Sequence, residues 1–153
     1  MDAKLFRETL SHFATGVTVV TANGPSGPVG ITVNSFASLS LDPPLVLWSV
    51  DKASRRQPIF VAAESSAIHI LRDDQQSVAQ SFTSADTTFD GLRPNQFGVP
   101  CLPECLARLD CRLREVLEGG DHFILVSEVV GAEVKSGEPL IFFRGGFLAL
   151  EPT

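Results

Sequence analysis

The residue types that usually carry chemistry are sparse in this chain and badly placed for hydrolysis. Three histidines, His12, His69 and His122, lie far apart, and no GxSxG, HExxH or phosphate-loop pattern accompanies them, so neither a nucleophile elbow nor a zinc-peptidase helix is indicated. His12 falls in an N-terminal helical pattern and His69 within an apolar strand, where an imidazole reads as a structural side chain. Cys101, Cys105 and Cys111 cluster within eleven residues. A zinc site wants four ligands in short pairs, and this cluster offers one short pair, one distant thiol and no local fourth ligand. A thiolate nucleophile would need a base partner, which the neighbouring sequence does not supply. The thiols read as buried packing groups, and no metal is expected.

Two other segments combine polar types in a way that suits a ligand. Gly30 to Ser40 reads G-I-T-V-N-S-F-A-S-L-S, with five small hydroxyl or amide side chains following a strand. Hydroxyls, an amide and exposed backbone N–H groups fit a flat heterocycle with alternating donors and acceptors; the same composition also makes an ordinary polar loop. Asp51-Lys52-Ala53-Ser54-Arg55-Arg56 puts three cations at the start of an expected helix. Unpaired N–H groups, the helix dipole and charge-assisted bonds there favour a phosphate. The alternative is a solvated basic turn with an ordinary cap. The concentration of cations stands out in a chain with three lysines and a net charge of −6.

The elements that must position these segments follow from periodicity. Residues 2–13 place Leu5, Phe6, Thr9, Leu10 and Phe13 at helical spacing behind Asp2 as N-cap. Residues 17–22 are a β-branched strand, 23–28 a turn, 29–34 the partner strand and 45–50 a third, largely buried strand. Ser54 and Gln57 form a capping box for a helix over 55–64, with Pro58 in its first turn. Residues 67–71 read as a short strand, Asp73 starts a helix toward Phe82, and 83–103 is loop. Strand-like runs follow at 105–117, 122–134 and 140–150. Six or seven strands with three short helices, and no GxGxxG after the first strand, argue against a doubly wound fold. They fit a mainly β chain with peripheral helices, a small antiparallel barrel.

Length and composition set the frame. The chain has 153 residues, 44% of them apolar and 20% charged. It reads as a single domain, 1–153, large enough to hold a core without disulfides or metal. The acidic balance argues against nucleic acid and anionic membrane as partners, and no apolar run reaches the roughly 20 residues of a membrane span. The stretch MDAKLFRETLSHF carries charges through an amphipathic pattern and does not read as a signal peptide. An odd number of cysteines suits a reducing, cytoplasmic setting.

Several of these segments, taken in order, resemble the flavin reductase-like family, the FMN-binding split barrels that act as the small component of two-component monooxygenases. The likeness runs from about Phe6 to Leu150. It rests on Phe13-Ala14-Thr15-Gly16-Val17-Thr18-Val19-Val20-Thr21, Gly30 to Ser40, and Ser40-Leu41-Asp42-Pro43-Pro44-Leu45-Val46. It continues through Lys52-Ala53-Ser54-Arg55, Gly120-Asp121-His122, and Pro139-Leu140-Ile141-Phe142-Phe143-Arg144-Gly145-Gly146-Phe147. The resemblance implies a split antiparallel β-barrel that binds FMN, with FAD possible. By position it implies that Thr32, Val33, Asn34, Ser35, Phe36, Ser38 and Leu39 lie along the isoalloxazine ring and ribityl chain. Ser49, Lys52, Ala53, Ser54 and Arg55 would hold the flavin phosphate, with Phe82 and Ser84 helping. His122, Arg144, Gly145 and Phe147 would meet NADH or NADPH. Leu117 stands in a stretch where the family often has histidine, Phe147 where tyrosine is usual, and the 85–105 loop keeps little of the family pattern.

On that resemblance the chain is an NAD(P)H-dependent flavin reductase that needs no acid, base or nucleophile, because hydride transfer asks for stacked, oriented rings. Thr32, Asn34 and Ser35 would face the flavin N1/C2 edge. A larger oxygenase would receive the reduced flavin, and a homodimer is expected, with the strands at 45–50 and 122–130 offering apolar surface. A flavin- or haem-binding module without reductase turnover and a purely structural interaction domain are the alternatives.

Overall fold

The computed structural model describes residues 1–86 and 89–151. Asp2 opens helix α1 (Ala3–Ser11) as expected, its carboxylate accepting from the N–H groups of Lys4 and Leu5, which satisfies two of the helix's free donors. Then follow β1 (Thr15–Gly16), β2 (Thr18–Gly24), β3 (Gly27–Val33), β4 (Ala37–Leu41), β5 (Pro44–Asp51), α2 (Gln57–Ala62) and β6 (Ser65–Ile70). The chain continues with α3 (Gln76–Ser81), β7 (Arg93–Pro94), β8 (Pro100–Cys101), β9 (Ala107–Gly119), β10 (His122–Val134), β11 (Leu140–Phe143) and β12 (Gly146–Ala149).

Seven strands form one antiparallel sheet in the order β3-β2-β6-β9-β10-β5-β4, while β1-β11-β12 and β7-β8 make two smaller ones. The mainly β antiparallel class is the one the sequence indicates. Among the described residues no ladder joins the edge strands β3 and β4, so hydrogen bonds leave the large sheet open there. The connection between these edges is pinned to β5: Ser35 Oγ donates to the Ser49 carbonyl at 3.1 Å and accepts from the Ser49 N–H at 3.0 Å.

The unbroken β-branched run before and along β2 has a physical cause. Successive side chains point to opposite faces, and both faces are covered. Val20 and Ala22 join Trp48, Phe60 and Ile68 in one core, where Trp48 and Phe60 meet edge-on at 5.2 Å. Val17 and Val19 join Leu71, Ala79, Phe82 and Leu140 in the other. His69 and the three cysteines are buried, as structural roles require.

Two expectations are corrected. The helix expected over 55–64 spans only Gln57–Ala62, and the Ser54–Gln57 capping box does not form. Ser54 Oγ accepts from the Arg56 N–H at 3.3 Å, and the Asp51 carboxylate takes the Ala53 N–H at 2.8 Å. Local side-chain bonds of this kind hold the backbone in turns and delay the helix. The run 140–150 is a hairpin rather than one strand, because Arg144 (φ +49°) and Gly145 (φ +77°) both turn left-handed, the twist a two-residue connection between antiparallel strands demands. The strands at 45–50 and 122–130 bury Val46, Trp48, Val50, Leu125 and Val126 on one side of the chain's own core, while Leu45, Leu47, Phe123 and Ile124 are part-buried and Val130 is exposed. Further exposed apolar surface lies on Leu5, Phe6, Leu10 and Phe13 at the N-terminus and on Leu39 and Leu41 of β4. The expected 83–103 loop carries the β7–β8 ribbon; its Thr87 and Thr88 lie outside the described residues.

Helix α1 buries none of its residues. It is joined to the β11–β12 hairpin by the Arg144 N–H donating to the Ser11 carbonyl at 2.9 Å and by the His12 ring set edge-on to Phe143 at 6.4 Å.

Candidate functional site

The end of β3 is the common wall of two clefts. A polar one, about 290 Å³, lies against Thr32–Ser35, Ser49–Asp51, Ser54, Arg56 and His122. An apolar one, about 190 Å³, is bounded by Val17, Thr83, Phe142 and Phe147 and again by Thr32, Val33 and Asn34. Strand pairing explains the convergence. His122, the first residue of β10, stands opposite Asp51 at the end of β5, and Ser35 is tied to Ser49 in the same strand. Seven of the expected residues (Thr32, Val33, Asn34, Ser35, Ser49, Ser54 and His122) therefore line one cleft, and Phe147 lines its neighbour.

The remaining candidates sit elsewhere. Phe36 packs on the Trp48 core. Ser38 and Leu39 are exposed on β4 beside a register shift, and Ala53 lies in the exposed turn before α2. Phe82 and Ser84 line a third cleft of about 230 Å³ with Gly30 and Phe89. Arg144 and Gly145 form the tip of the β11–β12 turn. A larger cavity, about 580 Å³, lies far along β9 and β10 between Asn95, Arg108, Asp110 and Glu133 and holds none of the expected residues. Its polar groups largely bond each other, the Asp110 carboxylate accepting from Asn95 Nδ2 and Arg108 Nε.

Hydrogen bonding shows which donors remain for a ligand. The Thr32 N–H donates to the Phe82 carbonyl at 3.1 Å and its hydroxyl to the Ala79 carbonyl at 2.6 Å. The Ser35 hydroxyl is committed to Ser49. The Asn34 side chain is exposed, and among the described residues the N–H groups of Asn34 and Ser35 have no intramolecular partner. These are the donors a heterocycle edge would meet, beside the apolar Phe142–Phe147 pair whose rings lie 5.5 Å apart. A flat ring system with one polar edge fits this combination.

The cations behave differently from one another. Lys52 Nζ bonds Glu118 Oε2 and sits 4.8 Å over the Phe123 ring. Arg55 pairs with Asp86 at 2.9 Å, both side chains exposed. Each would have to exchange a carboxylate for a phosphate. Arg56 is the one that lines the polar cleft. Its guanidinium donates to the carbonyls of Gly30 (3.1 Å), Phe82 (2.7 Å) and Thr83 (3.1 Å), while its buried Nε has no partner among the described residues. It ties α3 to β3 and so builds the wall itself. The short helix α2 adds little, since the Arg56 and Gln57 N–H groups are already held by Ser54.

His122 Nδ1 lies 2.7 Å from Asp121 Oδ1. This bond, more than the nearby Lys52 charge, keeps the Asp121 carboxyl below its usual range. The turn is braced from the other side by the Lys52 N–H donating to the Asp121 carbonyl at 2.9 Å. Burial pushes the thiols up, Cys101 to about 11 and Cys111 to about 12, far from the thiolate chemistry of a nucleophile or ligand.

Known proteins resemble this chain in sequence and in fold. The chain is 50% identical over 148 residues to FMN reductase (NADH) SmoA of Agrobacterium fabrum, covering 95% of this chain and 85% of that protein. It is 37% identical over 156 residues to the flavin-dependent monooxygenase reductase subunit HsaB of Rhodococcus jostii, covering 99% and 80%. Among solved structures, the Streptomyces globisporus NADH:FAD oxidoreductase SgcE6 in complex with NAD and FAD fragments superposes with a TM-score of 0.93 at 35% identity, over 99% of this chain and 94% of that one. A family model described as a flavin reductase like domain matches residues 10–151, and the chain belongs to that family.

Proposed function

We propose that residues 1–153 work as one domain that reduces FMN with NADH and passes the reduced flavin to a larger oxygenase. The observation that carries this is the common wall: Thr32, Val33 and Asn34 line a polar and an apolar cleft at once, which puts sites for two ligands side by side at a single strand end. A bound flavin supplies the acceptor for a hydride from the dihydronicotinamide. The chain's part is orientation, which alone can lower a barrier by about 7–11 kcal/mol when reacting atoms are held near contact. The free N–H groups of Asn34 and Ser35 favour the electron-rich edge of the acceptor. Phe142 and Phe147 exclude water from the apolar side, and His122 steers the nucleotide. Lys52, Ser54 and Arg55 serve the flavin phosphate, and Arg144 and Gly145 at the hairpin tip serve the nucleotide.

FMN and NADH are the first choice because the half-identical relative is named for both; the SgcE6 complex keeps FAD open as an alternative flavin. The HsaB relative, named as a monooxygenase reductase subunit, supports the oxygenase partner. A homodimer would cover the exposed apolar face of α1. Three free cysteines suit the reducing cytoplasm, and among the described residues no helix is long and apolar enough to cross a membrane. The test is NADH oxidation followed at 340 nm with added FMN. Turnover that scales with enzyme and saturates in FMN is expected. Flavin binding without turnover would leave a passive binder, and failure to bind any flavin would leave an interaction domain.

A further inference from the structure

We propose that Arg56 is a positioning residue that holds the walls of both clefts in one arrangement, so that it governs both ligands of the reaction and is not a third cation for the flavin phosphate. The proposal rests on the reductase reading above and adds what fixes the two ligands relative to one another. In sequence Arg56 continues the basic turn of Lys52 and Arg55; its hydrogen bonds set it apart. Nη1 donates to the carbonyls of Gly30 in β3 and of Phe82 just beyond α3, and Nη2 donates to the Thr83 carbonyl. Arg56 borders the polar cleft, Thr83 borders the apolar one, and Gly30 lies in the strand whose end they share. A single side chain therefore ties the boundaries of both.

The place of this wall in the fold makes such a tie necessary. β3 is an edge strand of the large sheet, so its outward backbone groups have no strand partner. Arg56 takes the Gly30 carbonyl instead, and the Thr32 N–H donates to the Phe82 carbonyl, which receives from both residues. The missing side chain at Gly30 lets the strand lie against the Phe82 ring, where a Cβ would come within 2.6 Å. The root of the arginine is fixed as well. Its N–H donates to Ser54 Oγ, and its carbonyl accepts from the Ile59 and Phe60 N–H groups. Phe60 is buried edge-on against Trp48. A planar fork on a fixed root holds several carbonyls in one geometry, which an ammonium on a flexible stem does not. With Nη1 bonded twice and Nε buried, the guanidinium has little left to offer a phosphate.

The experiment uses Arg56→Lys, which keeps the charge but loses the fork, with Arg56→Gln and Lys52→Gln beside it. Affinities for FMN and riboflavin are read by fluorescence quenching and the KM for NADH from steady-state oxidation. Anaerobic stopped-flow mixing with NADH follows the loss of flavin absorbance. In Arg56→Lys both flavins are expected to weaken by the same factor, about three- to tenfold, with the KM for NADH rising alongside. The first-order rate constant of flavin reduction, at saturation in both ligands, is expected to fall about ten- to hundredfold, because displaced reactants lower that constant itself. Loss of folded protein lowers only the amplitude of the same phase. Lys52→Gln is expected to weaken FMN alone. Weaker FMN with unchanged riboflavin in the Arg56 variants overturns the proposal by making Arg56 a phosphate ligand. Unchanged affinities and rate constant in both Arg56 variants, with a lowered melting temperature, overturn it by showing a merely structural arginine. A wild type that binds flavin without oxidising NADH overturns the reductase reading, and the proposal with it.

Discussion

Acid should unfold this protein through His69 before it touches most carboxylates. The imidazole is fully buried, with Nδ1 donating to the Val19 carbonyl at 2.9 Å and Nε2 accepting from the Leu102 N–H at 3.1 Å. A second proton would have to sit on Nε2, against a backbone donor and out of water. Burial accordingly lowers the pKa from 6.5 to about 4, with Arg108 adding to the effect and the Val19 bond and Asp110 opposing it. The unfolded chain takes up the proton near 6.5 and the folded one does not, so this stability is fully present above pH 6.5 and is lost as pH falls toward 4. A shift of that size corresponds to about 3 kcal/mol, with a limiting slope of about 1.4 kcal/mol per pH unit. That is a large share of a typical domain's stability of roughly 5–15 kcal/mol. Urea unfolding at pH 8, 6.5, 5 and 4 measures it, with His69→Gln as the comparison. The variant loses one of two backbone bonds and should be weaker at pH 8 by about 1–3 kcal/mol, and the gap should narrow steadily below pH 6.5. Parallel curves for the two proteins between pH 6.5 and 4 would refute the reasoning.

Other perturbations test the site and the assembly. Reversing charge at Lys52 and Arg55 together should weaken FMN about tenfold in a fluorescence titration, exposed ion contacts being worth about 0.2–1 kcal/mol each, while riboflavin, which has no phosphate, holds its affinity; equal losses for both flavins would place the phosphate elsewhere. Glu118→Gln should tighten FMN, because it frees Lys52 from its carboxylate. Gly30→Ala would set a Cβ 2.6 Å from two carbons of the Phe82 ring, and thermal melting should show a loss of about 1–3 kcal/mol. Leu10→Glu on the exposed face of α1 should convert a dimer to monomer in sedimentation velocity; a wild type that sediments only as monomer with flavin bound removes the dimer from the account.

Much of the fold was legible because its signals are local. Asp2 caps α1, and the β-branched residues at 17–22 supply the β2 core, since propensity and short-range bonding agree there. The Thr32–Ser35 segment stood out by side-chain type, and the resemblance placed Ser49, Ser54 and His122 at the same site. Missing from any single stretch was the commitment of those side chains. Thr32 and Ser35 spend their hydroxyls on Ala79 and Ser49, partners forty-seven and fourteen residues away. The same non-local accounting hid Arg56, which looks like its two cationic neighbours in sequence and differs from them by bonding three carbonyls. Lys52 and Arg55 acquire carboxylate partners from Glu118 and Asp86, sixty-six and thirty-one residues on. The capping box failed for a local reason that a motif does not weigh, because Asp51 and Ser54 both bond the intervening turn.

The wall formed by Thr32, Val33 and Asn34 constrains how such a protein can diverge. A residue that borders two clefts cannot be reshaped for one without disturbing the other, so drift at these three positions is coupled across both clefts. Ser49, Ser54 and His122 touch only the polar cleft, and Val17, Phe142 and Phe147 only the apolar one. Those outer positions are where a change can be confined to one cleft. Substitutions confined to them should give kinetic effects that add independently, whereas any pair that includes Thr32 or Asn34 should show epistasis between the two Michaelis constants.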